Sequence, residues 1–212
     1  MLRPPERLPE RDAAIAAMLA HVPFDGWTQR TLRQGLADIG APADDAELLF
    51  PGGAADMVAC FCDLADRRME LAAAAMDMAD MRLPTRVRAV IALRLEQNHP
   101  HKEAIRRALA VLALRGQAAT AAACTARTVD TIWHAAGDIS ADFSWYTKRA
   151  ILASVYTSTL LFWLRDTSDD DVDTLEFLDR RLAAVGGIGK FRKRAEAALE
   201  RFVPARLRRR LA

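Results

Sequence analysis

Apolar residues recur at helical spacing along this whole chain, and no stretch alternates apolar with polar residues as a half-buried strand does. That property confines the fold to packed helices. Gly and Pro, ten and nine in 212 residues, serve mainly as punctuation. Thr28 is placed to cap a helix that Gly40 stops, and Pro84 opens a helix that ends before Pro100. The pattern predicts helices over 9–21, 28–39, 43–50, 54–81, 84–99, 102–115, 118–136, 142–165 and 170–185, with a last one over 189–202. With 51% hydrophobic and 27% charged residues the chain has enough apolar surface for a real core.

No apolar run approaches the roughly 18 to 20 residues of a membrane span. The opening "MLRPPERLPERDAA" has no apolar segment of signal-peptide type, so a cytoplasmic protein is expected. Cys60, Cys62 and Cys124 are odd in number and not at zinc spacing, and read as small buried hydrophobes of a reducing compartment. The overall charge of +2 conceals an asymmetry. From Gly186 onward there are nine Lys/Arg and two Glu, against 21 bases and 26 acids before it. Charge and glycine content both change at "VGGIG", which sets the boundary between body and appendage. Three units are expected: 1–52, three short helices; 53–185, a helical body; 186–212, a basic tail.

The first unit, "IAAMLAHVPFDGWTQRTLRQGLADIGAPADDAELLFPGG", resembles the helix-turn-helix of TetR-type regulators, whose third helix enters the major groove. The charges oppose DNA binding. Between Trp27 and Asp56, Arg30 and Arg33 face Asp38, Asp44, Asp45, Glu47 and Asp56. Phosphate neutralisation needs clustered Lys/Arg, so no nucleic-acid partner is expected.

Fragments that imitate catalytic motifs lack their complements. "EQNH", Glu96 to His99, has the Glu-x-x-His form of di-iron bundles, but a second copy and two further inward Glu are missing. "GGIGKF" lacks the leading Gly and the Ser or Thr of a phosphate loop. No nucleophile, base and orienting group occur together. No catalytic residue, metal site or cofactor is therefore assigned.

The predicted 54–81 helix carries Met57, Phe61, Leu64, Met69, Met76, Met78 and Met81. Ordinary core packing explains such a stripe, and so does a lipid-accommodating cavity. Met57, Phe61, Leu64 and Met76, with Val155 and Phe162 from the later helix, are the candidate lining.

Three of the four tryptophans and both tyrosines fall between Trp133 and Trp163. On a helix starting near Asp142, the residues Asp142, Trp145, Tyr146 and Arg149 stand at i, i+3, i+4 and i+7, one face. Leu152, Ala153 and Tyr156 continue that stripe, and Phe143, Ile151, Val155 and Phe162 form the opposite, core side. Trp, Tyr and Arg are over-represented where binding energy concentrates. A buried pair of aromatics under an Asp142–Arg149 ion pair fits the same spacing.

The run "WHAAGDISADFSWYTKRAILASVYTSTLLFWLRDTSDD", followed by "TLEFLDRRL", closely resembles the ubiquinone-biosynthesis accessory proteins of the COQ9 family. "FDGWTQRTL" and "LFPGGAADM" agree with the family's N-terminal half. The resemblance covers most of residues 10–190 and implies an all-α, TetR-regulator-like bundle of about nine helices plus a C-terminal amphipathic helix. It implies a non-catalytic homodimer that binds isoprenoid lipid or a quinone intermediate. It also implies that this lipid is presented to the di-iron demethoxyubiquinone hydroxylase, with Asp142, Trp145, Tyr146 and Arg149 as the patch for that partner. The alternative is a TetR-like transcriptional regulator that senses a lipid. A metal hydroxylase built around Glu96 and His99 is a weaker third.

In the tail, Ile188, Phe191, Ala195, Ala198, Leu199 and Phe202 share one arc of the predicted helix, and Lys190, Lys193, Arg194 and Arg201 lie on the other sides. This is the pattern of a helix lying in a membrane interface. Attachment to the inner face of the cell membrane is expected through Ile188, Lys190, Phe191, Lys193, Arg194, Leu199, Arg201 and Phe202. A helix packed on the body or on a second copy has the same pattern.

Overall fold

The computed structural model describes residues 4–138 and 144–185, and among these every regular element is a helix. The order is α1 (Pro9–Met18), α2 (Val22–Asp25), α3 (Gln29–Asp38) and α4 (Ala46–Leu49), the last entered through a 3-10 turn, Ala43–Asp45. Then come α5 (Gly53–Ala74), α6 (Leu83–Asn98), α7 (Lys102–Leu112), α8 (Ala118–Ala135), α9 (Ser144–Trp163) and α10 (172–185). No single described helix is long and apolar enough to cross a membrane.

Local chemistry explains the early elements. Pro9 sits in the first turn of α1, where its missing N–H costs nothing. Thr28 caps α3, its Oγ1 accepting from the Thr31 N–H at 3.1 Å. The helices α1 and α3 cross so closely that a Cβ on Gly35 would stand 2.6 Å from the Met18 backbone nitrogen. Only glycine fits there. The single-turn α2, which the sequence pattern does not predict, occupies the link before Trp27 and is closed by Gly26 at φ 73°.

The centre of the molecule is α5, packed against α8, α6, α1 and α7. Its inward residues include Met57, Val58, Phe61, Leu64 and Met69, together with the acids Asp63 and Asp66. Trp27 meets the Phe61 ring at 5.4 Å and donates its indole N–H to the Ala104 carbonyl at 3.0 Å. Ion pairs tie α1 to α5. Asp63 accepts from Arg7 at 2.8 Å and from Arg67 at 2.9 Å, and Arg67 reaches Asp12 at 2.7 Å. Arg11, buried, donates to Asp56 at 2.6 Å and covers the Phe50 ring at 4.2 Å.

Two expectations need correction. The helix predicted to run to Met81 ends at Ala74, so Met76, Met78 and Met81 lie beyond α5. The Asp77 carboxylate accepts the Ala79 N–H at 3.4 Å, a local turn that competes with helix propagation. The segment predicted as one helix over 43–50 is a 3-10 turn followed by four residues of α-helix.

Candidate functional site

At the start of α9 three side chains form a stack. Tyr146 is 76% exposed, and its ring meets Trp145 edge-on, with centroids 4.7 Å apart and planes at 75°. Arg149, one turn on, lays its guanidinium 3.7 Å from the Trp145 ring centre. Its Nε and Nη2 both donate to Asp130 Oδ1 on α8, at 2.8 and 2.5 Å. Lys148 pairs with Asp138 at 3.6 Å and stands 6.0 Å from the Trp133 ring centre. Trp145, Tyr146 and Arg149 are thus brought together at the surface, whereas Asp142 lies outside the described residues.

The stripe does not continue along α9. Leu152 and Tyr156 are buried, while Ile151, assigned to the core side, lies at the surface. The inward stripe is Leu152, Val155, Tyr156, Thr159 and Trp163. Tyr156 can face inward because Arg94 donates to its hydroxyl at 3.0 Å.

That arginine belongs to a buried polar centre where α5, α6, α8 and α9 meet. Arg94 Nη1 lies 2.9 Å from Asp66 Oδ1, an ion contact rather than an aligned hydrogen bond, and Thr128 donates to Asp66 Oδ2 at 3.1 Å. Burial pushes the Asp66 carboxyl up to about 6 against the pull of Arg94 and Thr128. Burial also opposes the Arg94 charge, but Asp66 and Tyr156 outweigh it and raise the guanidinium. Cys62 and Cys124 share a hydrogen bond that raises the first thiol and lowers the second to about 7, and Arg127 contacts Cys124 Sγ at 3.4 Å.

Sequence reading missed this centre, although its signal was present. Val87, Val90, Ile91, Arg94 and Leu95 share one inward stripe of α6, so Arg94 is a charge written into an apolar face.

The candidate cavity residues take different places. Met57 and Val155 are fully buried in the core, and Met76 follows the end of α5. Phe162 stacks on Phe177 of α10 at 4.6 Å. Phe61 and Leu64 border a cavity of about 20 Å³, room for one water. Glu96 and His99, the motif considered for iron, line an open cleft of about 400 Å³ with Ala92, Leu95, Asp170, Asp171 and Leu175. Among the described residues no three His, Cys, Asp or Glu side chains converge as metal ligands would. The membrane-facing candidates Ile188, Lys190, Phe191, Lys193, Arg194, Leu199, Arg201 and Phe202 lie outside the described residues.

An all-helical bundle in which the short N-terminal helices α1–α4 pack together and, through α1, on a long central α5 is a protein of the TetR-regulator fold. A TetR transcriptional regulator from Nitrosomonas europaea matches 84% of this chain and 98% of its own, with a TM-score of 0.67 and 22% identity, a likeness of fold alone. The COQ9 family model matches residues 118–189, the segment that holds Asp130 and the α9 stack. Ubiquinone biosynthesis protein COQ9-B of Xenopus laevis is 30% identical over 92% of this chain and 68% of its own length. The mitochondrial ubiquinone biosynthesis protein COQ9 of rat and that of human are each 30% identical over 89% of this chain. The chain belongs to the COQ9 family. It spans about three fifths of the rat and human relatives, 62% and 61% of their lengths.

Proposed function

We propose that this protein acts in ubiquinone biosynthesis as a non-catalytic accessory protein. In this reading it holds isoprenoid lipid or a quinone intermediate at a membrane and presents it to the di-iron demethoxyubiquinone hydroxylase. The observation that carries the reading is the stack of the exposed Tyr146 on the half-buried Trp145 and Arg149, built within the segment that matches the family. Aromatic and arginine side chains of this kind dominate binding energy at protein interfaces.

Other observations support the finer parts. The outward face of α9 beyond Arg149 presents Ala150, Ile151, Thr157 and Leu161, exposed and uncharged, which suits a homodimer contact. The nine bases and two acids after Val185 suit an anionic membrane surface, at about 1 kcal/mol per basic residue near it, and support attachment to the inner face of the cell membrane. Lipid sensing by a DNA-binding regulator has the fold in its favour, but the expected reading segment is short and carries Asp44, Asp45 and Glu47. Such a surface repels phosphate.

The test is genetic. Cells lacking the protein are expected to accumulate demethoxyubiquinone, with wild type restoring ubiquinone and Trp145→Lys failing although it is folded and present at equal level. Full restoration by Trp145→Lys would sink the proposed role of the stack.

A further inference from the structure

The position of Asp130 on α8 says how the α9 stack is held in shape. An unrestrained arginine side chain samples many rotamers, and fixing one costs conformational entropy. Arg149 is fixed already. Two of its nitrogens donate to one oxygen of Asp130, at 2.8 and 2.5 Å, from a residue 19 positions away on another helix. The two charge-assisted bonds hold the guanidinium beside the indole, 3.7 Å from the Trp145 ring centre. One face of the indole is thereby covered and its rotamer held, and its contact with Tyr146 is set at 4.7 Å. The Asp130 side chain is two-fifths exposed, and the Arg149 side chain only 18%. The pair therefore sits at the foot of the stack rather than at its tip.

We infer that Asp130 is a positioning residue for partner binding. It pins Arg149 against Trp145, so that the aromatic pair meets its partner in one ordered shape. The inference rests on the hydroxylase-docking role proposed for the stack. It also specifies that contact's chemistry. With its charge satisfied by Asp130, Arg149 supports the indole rather than seeking a carboxylate. The partner surface that fits is apolar or aromatic, and it meets the exposed ring of Tyr146 and the part of the Trp145 indole that reaches the surface beside it. Pre-ordering removes part of the entropic cost that such a contact otherwise carries.

The test compares the full-length chain and its variants for binding to the purified hydroxylase. Asp130→Asn is expected to weaken the complex about tenfold, the scale of a desolvated cation–π contact and its ordering. Its thermal midpoint should stay that of wild type. In the free protein carrying Trp133→Phe, Asp130→Asn should make tryptophan fluorescence more accessible to acrylamide, because Trp27 and Trp163 are buried and the rise then reports Trp145. Asp130→Glu keeps a carboxylate in reach and is expected to bind within about threefold of wild type. Arg149→Lys loses the planar fork and should behave as Asp130→Asn does. Should Trp145→Lys abolish binding while Asp130→Asn binds as wild type, the positioning role is wrong and the docking role stands. If Trp145→Lys itself binds normally, the docking role fails first, and the acrylamide result alone then decides whether Asp130 orders the stack.

Discussion

Arg94→Met tests the buried centre that sets the pose of α9. The side chains of Arg94 and Asp66 are only 6% and 5% exposed. Removing the guanidinium leaves Asp66 without its counter-charge and Tyr156 without its donor. Breaking a buried pair from one side costs about 3–5 kcal/mol, and an unsatisfied hydroxyl adds about 1 kcal/mol. A loss of about 4–6 kcal/mol is a large share of a domain's stability. Urea unfolding followed by circular dichroism at pH 7 measures it. The double variant Arg94→Met/Asp66→Asn removes both charges and should recover at least half of the loss, a coupling seen only if the two residues act as a pair. The pH dependence has a definite sign. Asp66 is raised from 3.8 to about 6 in the folded protein, so its contribution is greatest below pH 3.8 and is lost as pH rises through 6. Without Arg94 the carboxyl should rise further, so the deficit of Arg94→Met should shrink between pH 7 and pH 5. A loss below about 1 kcal/mol at pH 7, or strict additivity in the double variant, would refute the reasoning.

Three further outcomes follow from the same structure. Asp166 accepts from the backbone N–H groups of Ser168 and Thr174, both at 2.8 Å, and from both hydroxyls, at the entrance to α10. Burial works against its charge, but those bonds hold the carboxyl down at about 2 from 3.8, so its contribution is present above pH 3.8 and lost as pH falls through 2. Asp166→Ala should lower the thermal midpoint at pH 7 and flatten its decline between pH 4 and pH 2; an unchanged profile would remove Asp166 as the cap. Deleting residues from Gly186 onward should reduce binding to anionic liposomes at least tenfold, with helical content per residue retained, and undiminished binding would move the membrane contact elsewhere. Lipid extracted from gently purified full-length protein should contain isoprenoid or quinone species by mass spectrometry. Their absence, together with failure to bind liposomes, would end the lipid-handling reading.

Much of the fold is legible because its rules are local. The Thr28 cap, the first-turn prolines and the helical spacing of apolar residues all appear where the residues place them. The end of α5 is not legible, because apolar residues continue through Met76, Met78 and Met81 although the helix closes at Ala75 and the chain turns at Asp77. The grouping of Trp145, Tyr146 and Arg149 follows from helical geometry alone. Which side of α9 turns inward does not, since Ile151, Leu152, Val155 and Leu161 cover several of its sides. Arg94 decides that question from α6 by giving the buried Tyr156 hydroxyl a donor. Asp130 was out of reach for the same reason: its partner sits on another helix, and no spacing rule links the two.

The central claim is that the α9 stack docks the demethoxyubiquinone hydroxylase. Its most direct test is the equilibrium affinity of the purified full-length protein for that enzyme, with and without Trp145→Lys. Placing a cation at Trp145, where Arg149 now stacks, should weaken the complex by at least about 30-fold, the scale of an interface hot spot, and leave the thermal midpoint within a few degrees of wild type. Equal affinities for the two proteins would contradict the account.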